Sequence, residues 1–414
     1  MFKVLSLLTL SLLGSNANRF FFGGTSVVNH VRKSEFDIYW NVPSFVCHKY
    51  GMRFQEVSSK FGIRQNTNDS FRGDQIAILY DPGSFPALLQ DKSGKLVVRN
   101  GGVPQEGNLT RHLEVFAEHL ISQIPDESFQ GLGVIDFESW RPIFRQNWAS
   151  LQPYKDLSMR LVSKRYPTWD KKAVEHQAAK EFEKSGRIFM EETLKLAVSL
   201  RPAAKWTYYA YPYCFNETPN HRSSSCEPKA VAENDRMKWL FSLENFLAPS
   251  IYMRWELTPR QRLGLFEGRI KEAERISRST STAPKIIPYI WYMYQDKQST
   301  FVLQSDMETS MKKIADLGAD GFIVWGSSMD VNTKEKCEKL YNYLLKVLGP
   351  AASKIKREAS QSSYAYTSNG DYIDATLNEE THDAIANSTL VFSEESGGLS
   401  TDTASFYSLR LNRV

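Results

Sequence analysis

The sequence predicts an α/β fold, a TIM-like (β/α) barrel of about seven parallel strands, and three observations carry that prediction. Short runs rich in aromatic and β-branched residues alternate with amphipathic helical patterns. The alternation repeats about seven times over roughly 310 residues, which suits closure better than an open sheet. No Gly-x-Gly-x-x-Gly turn or phosphate loop follows any of the strands, so the main sequence argument for an open nucleotide-binding sheet is missing.

In chain order, the strands are expected at Asp37–Trp40, Ala77–Tyr80, Gly133–Asp136, Thr207–Tyr211, Ser250–Met253, Ile286–Trp291 and Gly321–Trp325. The helices between and after them are expected at His112–Ile124, Ala173–Leu200, Ala230–Phe246, Pro259–Ile276, Met307–Leu317 and Lys334–Leu348. Ahead of the first strand, residues 1–17 read as a secretory signal. Lys3 gives a charged start, Val4–Gly14 is apolar, and Ser15 and Ala17 are small residues suited to cleavage. That run is about half the length a membrane span needs, and no other segment is long enough either. Residues 18–350 then form the barrel domain. Residues 351–414, rich in Ser, Thr and acids, are expected to be a tail of low order.

With 414 residues, 42% apolar and 13% aromatic, the chain can bury a large core. Its formal charge is +4, but the tail holds five Lys/Arg against nine Asp/Glu, a net of −4, so the remainder carries +8. A basic body is compatible with a polyanionic partner. Nucleic-acid binding is not indicated, because no basic cluster is interleaved with aromatics and no such motif occurs. Four cysteines in an exported chain imply two disulfides. Three pairings are possible; the turn-rich stretch between Cys214 and Cys226 favours joining them, which leaves Cys47 with Cys337. Glycosylation sequons at Asn68, Asn108, Asn216 and Asn387 fit export.

The sharpest chemical feature is the segment 131–138, GLGVIDFE, an apolar run ending in Asp136 and Glu138. On a strand, residues two apart face the same side, so both acids project from the carboxyl end, where this architecture places catalytic groups. Two such close carboxylates cannot both ionise freely, so one pKa rises and that group can deliver a proton to a glycosidic oxygen. The bland alternative is a strand end whose acids cap the next helix or pair with Arg141 and Arg145. Other strand ends weigh against it: Tyr80 with Asp81, Tyr209 with Tyr211, Tyr252 and Trp325 fall on the same face, and aromatic walls with polar edges suit sugar rings. No spacing of the seven histidines suggests a metal site, and no cofactor is implied; His112 and His119 share a helical face and read as solvated or capping. No Gly-x-Ser-x-Gly elbow appears.

These residues resemble the hyaluronidase family of glycoside hydrolases. The signature GVIDFESWRPIFRQNW spans 133–148, and further matches are YWNVP from Tyr39, AILYDPG from Ala77, WTYYAYPYC from Trp206 and GADGFIVWGSS from Gly318. The resemblance runs from about Glu35 to Pro350 and is greatest to insect and venom-type members. It implies a distorted barrel with a groove for a polymer of alternating glucuronate and N-acetylglucosamine, cut at the β-1,4 bond with retention. By the same correspondence Glu138 is the proton donor, and Asp136 holds the N-acetyl amide, whose oxygen is the nucleophile. The correspondence makes Tyr209 and Tyr252 position that amide and Trp325 wall its pocket. Tyr80, Asp81, Arg141, Tyr211, Ser327 and Ser328 match groove positions, and Arg269 is a structural or charge-balancing neighbour. The family's bridges match the cysteine pairing above. Met329 departs from the pattern, which places an acid directly after the two serines; here the acid comes one later, at Asp330. The implied partner is hyaluronan; secretion follows from the leader, and a monomer is the default expectation.

Overall fold

The computed structural model describes residues 35–91 and 93–368, with side chains through Ala359. The expected leader and the sequon at Asn387 lie outside the described residues.

Seven parallel strands form a distorted barrel. Strands β1 (Asp37–Asn41) and β7 (Gly321–Trp325) pair along their whole length, with Asn41 opposite Trp325. β2 (Ile76–Tyr80) pairs with β3 (Leu132–Asp136), placing Tyr80 beside Asp136, and β3 pairs with β4 (Lys205–Tyr208). The far side is more broken. β5 (Phe246–Leu247) meets the extension of β4 through a single Tyr209–Ala248 bridge. β6 consists of Lys285–Ile286, paired with β5, and Tyr289–Trp291, paired with β7. The seam between β1 and β2 is closed by a short strand, Arg64–Gln65, against β1 and by one side chain: the amide of Asn66 accepts from the Ile76 N–H and donates to the Ile76 carbonyl, both at 2.9 Å.

Two glycines permit the tight closure. A Cβ on Gly133 would stand 2.5 Å from the Trp206 ring, and one on Gly321, at φ 153°, would stand 1.9 Å from the Asp37 carbonyl oxygen. The helices pack outside, each started by a local device. Asn108 and Asp170 cap Leu109–Gln123 and Lys171–Leu200, and Thr258 with Gln261 forms a capping box on Pro259–Ser279.

Several expected boundaries shift for identifiable reasons. The strand expected over Thr207–Tyr211 stops at Tyr208, since Ala210 takes φ 76°. Ser250–Met253 is not a strand; only Ser250 bridges to Tyr289. The helix expected over Ala230–Phe246 breaks at Met237 into two. Most consequential is the barrel's expected end at Pro350: helix Gly349–Ser368 runs across it, with Ala351, Ala352 and Ile355 buried. The barrel domain therefore extends past 350, because these side chains complete its hydrophobic surface.

Both disulfides form as Cys47–Cys337 and Cys214–Cys226. The first spans 290 residues and joins the segment after β1 to a helix after β7, whereas the second spans 12. In the chain-entropy model that difference is about 5–6 against about 3 kcal/mol.

Candidate active site

Every barrel strand delivers a side chain to the carboxyl-end face. At its centre are Asp136, the last residue of β3, and Glu138, two residues on. Their side chains are within hydrogen-bonding reach, and burial pushes both carboxyls up. Asp136 is raised further by the charges of Glu138 and Asp81, whereas Arg141 draws Glu138 partly back down. A close pair with both acidities weakened holds one proton between two groups. Glu138 is open to the groove, while Asp136 is half-buried below it. A proton can therefore leave the pair only toward a bound molecule or solvent in the groove.

Around the pair stands an aromatic wall. The rings of Tyr209 and Tyr252 lie 6.5 Å apart and tilt by 33° to each other. Tyr252 stacks on Trp325 at 5.7 Å, and the Trp325 indole N–H donates to the Tyr80 hydroxyl at 2.8 Å. This chain of contacts ties the ends of β2 and β7 to the segment after β5. Tyr289 and Trp291, two apart on β6, complete the wall: Tyr289 packs edge-on against Tyr209 and donates to Asn41, and Trp291 sits 5.2 Å from Trp325. Neither was anticipated from the sequence, although the same two-residue alternation that revealed Asp136 and Glu138 marks them.

Asp81 is held with φ 43°, bonded bidentately by Arg99 at 2.6 and 2.8 Å, and its N–H donates to the Asp136 carbonyl. The turn that follows is clamped from behind. The N–H groups of Gly83 and Ser84 donate to Nδ1 of His119 and His112, each at 3.0 Å. Burial, with the Arg99 charge, lowers the His112 pKa to about 3, so its ring stays neutral and can accept. The two histidines thus hold the Asp81 turn rather than cap their helix.

On the other side, Arg141 donates to the Gln146 carbonyl at 2.7 Å and lies over the rings of Tyr213, Phe215 and Trp148. Tyr211 departs from its expected place. It is 1% exposed and packs edge-on against Tyr213, which is half-buried under the Arg141 guanidinium. Arg269 donates to the Ser250 carbonyl and, at 3.1 Å, to Asn216 Oδ1, behind Tyr209; burial pushes it down to about 10. That fits the structural role expected of it.

Ser327 and Ser328 begin a turn in which Asp330 accepts from the Ser327 N–H at 3.0 Å and the Trp291 indole at 2.9 Å. Asp330 is buried and Met329 is exposed. Asp330 therefore braces the wall from within and does not stand in for the acid the resemblance places after the serines.

The sequons divide. Asn68 and Asn108 are exposed, but Asn216 is fully buried, its amide donating to the carbonyls of Ser224, Gly264 and Leu265. A folded chain cannot carry a glycan there.

A coupled carboxylate pair at a barrel's carboxyl end, walled by tyrosines and tryptophans, defines a glycoside hydrolase. The chain belongs to the hyaluronidase family, whose sequence model matches residues 26–394. A hyaluronidase from Apis mellifera is 60% identical over 328 residues, 79% of this chain and 86% of that protein. The crystal structure of bee venom hyaluronidase in complex with a hyaluronic acid tetramer matches with TM-score 0.76 at 61% identity, covering 78% of this chain and 99% of that one. An inactive hyaluronidase B from Vespula vulgaris is 44% identical over 331 residues, 80% of this chain and 97% of that protein.

Proposed function

We propose that this chain is a secreted endo-hydrolase that cuts hyaluronan at the β-1,4 bond between N-acetylglucosamine and glucuronate. The observation that carries the reading is the close Asp136 and Glu138 pair, exposed at Glu138 and flanked by Tyr209, Tyr252 and Trp325. Since an inactive relative shares much of this sequence, family membership alone does not establish turnover; the intact acid supports it.

In this reading Glu138 gives its proton to the leaving glycosidic oxygen. The substrate's acetamido oxygen attacks the anomeric carbon, forming a cyclic oxazolinium and expelling the leaving sugar. Asp136, now ionised, stabilises the positive amide N–H, and the Tyr209 and Tyr252 hydroxyls fix the acetamido group against Trp325. Glu138 then takes a proton from water, which opens the ring with net retention. Substrate assistance removes the need for a second protein nucleophile, consistent with two acids two residues apart on one strand end. Tyr80, Asp81, Arg141, Ser327 and Ser328 contact the flanking sugars, Arg141 meeting a glucuronate carboxylate. Residues 1–17 serve as the export signal, and glycans attach at Asn68 and Asn108. Among the described residues, no helix is long and apolar enough to cross a membrane.

The test is hyaluronan depolymerisation by the full chain, followed by fragment sizing from pH 4 to 7, beside a folded Glu138→Gln variant. Cleavage by the parent alone supports the reading. Cleavage by both moves the proton donor elsewhere, and binding without cleavage by the parent leaves a carbohydrate-binding protein on the same fold. Chondroitin assayed in parallel reports the breadth of specificity.

A further inference from the structure

Behind the catalytic loop, on the outside of the barrel, is a second recess of about 360 Å³. Its walls are Lys180, Glu183, Lys184 and Arg187 from helix Lys171–Leu200, with Arg236 and Trp239, and Pro142 and Ile143 from the segment leading out of the site. Two acids offset its arginines but not its lysines. Glu183 is engaged by Arg236 and by the Phe144 N–H, and Glu191 pairs with Arg187 at 3.0 Å. Lys180 and Lys184, exposed and one helical turn apart on the same face, have no carboxylate partner among the described residues. Beside them the Arg187 guanidinium lies 5.3 Å from the centre of the Trp239 ring, which is half-buried and holds an aromatic edge in place.

Two unpaired ammonium groups next to a fixed indole suit a polymer that presents carboxylates at regular intervals between the apolar faces of sugar rings. We infer that this recess is a secondary site for an anionic polysaccharide, holding a stretch of the same hyaluronan chain that the groove cuts; the inference rests on that substrate reading. Ile143 follows Glu138 by five residues, so recess and acid are at most about 17 Å apart along the backbone. A long chain can engage both, and the second contact then becomes intramolecular; a short oligosaccharide can fill only the groove.

The experiment compares the full chain with a Lys180→Glu/Lys184→Glu double variant on high-mass hyaluronan and on a hyaluronan hexasaccharide. A Lys334→Glu/Lys339→Glu variant makes the same charge change on the helix Lys334–Tyr343, away from the recess. For the first variant, KM on the polymer rises about tenfold with kcat unchanged, hexasaccharide kinetics stay the same, and the salt dependence of KM flattens. Trp239→Ala gives a smaller rise in KM for the polymer alone. Equal changes on both substrates, an equal effect from the control variant, or no change on either overturns the inference. If the parent cuts no hyaluronan, the substrate reading fails by itself. Equilibrium binding of the polymer then decides the recess: weaker binding by the first variant alone supports it, and equal binding removes it.

Discussion

Two carboxylate sites beside neighbouring strands share a raised pKa and differ in consequence. Glu138 and Asp136 sit at the open end of β3. Glu244 sits beside β4, 1% exposed, with one oxygen accepting the Tyr208 N–H at 2.8 Å and the other without a partner. Burial raises the pKa in both places, that of Glu244 to about 8. Only the β3 pair has an opening through which the proton can reach a substrate, and a second acid to share it. A raised pKa therefore marks a buried carboxyl, and access decides whether it is chemistry or a cost to stability.

The largest test of this contrast is Glu138→Gln, which should lower hyaluronan turnover by about 10³-fold, while Glu244→Gln leaves turnover within about twofold, a typical remote-site effect. Because Glu138 is raised in the folded state, the amide should also melt no lower than the parent at pH 7. A lower melt would mean that the carboxylate is a structural ion. Next comes Tyr252→Phe. Loss of the hydroxyl proposed to hold the acetamido group should cost about 10- to 100-fold in kcat, with KM little changed, if it acts mainly in the transition state.

Glu244 supplies the stability test. Its folded pKa lies above the ordinary 4.5, so the folded state binds the proton more tightly, and stability falls as pH rises from about 4.5 to 8. The loss is of the order of a few kcal/mol, and Glu244→Gln, which mimics the protonated form, should flatten that slope in thermal melts across the window. An unchanged slope would place the proton elsewhere. The smallest effect expected is on the pH profile. Arg141 favours the ionised form of Glu138, so Arg141→Met should move the basic limb of kcat/KM upward by about half a unit to one unit. A downward move would reverse the assigned influence.

What could be read in advance follows the range of the interactions involved. Asp136 and Glu138 were legible because strand alternation is local. Tyr80, Tyr209, Tyr252 and Trp325 were legible because barrel strands end on one face, even where Ser250–Met253 proved not to be a strand. Tyr289 and Trp291 carried the same signal unread. Arg99 was not legible at all. It reaches Asp81 from the hairpin Ala87–Gln90 and Leu96–Arg99, whose pairing has no marker at the site. Tyr211 looked like its neighbours until the turn at Ala210 folded it against Tyr213.

By itself the sequence determined the barrel, the carboxylate pair at the end of β3 and the family resemblance, since periodicity and motif are properties of neighbouring residues. Only the tertiary structure decided that Asn216 is closed to a glycan, that the helix across Pro350 belongs to the barrel, that His112 and His119 hold the Asp81 turn, and that Glu244 is sealed while Glu138 is open. Each of these depends on which distant side chains fill the space around a residue, and burial is set by the packed whole, not by the chain's local pattern.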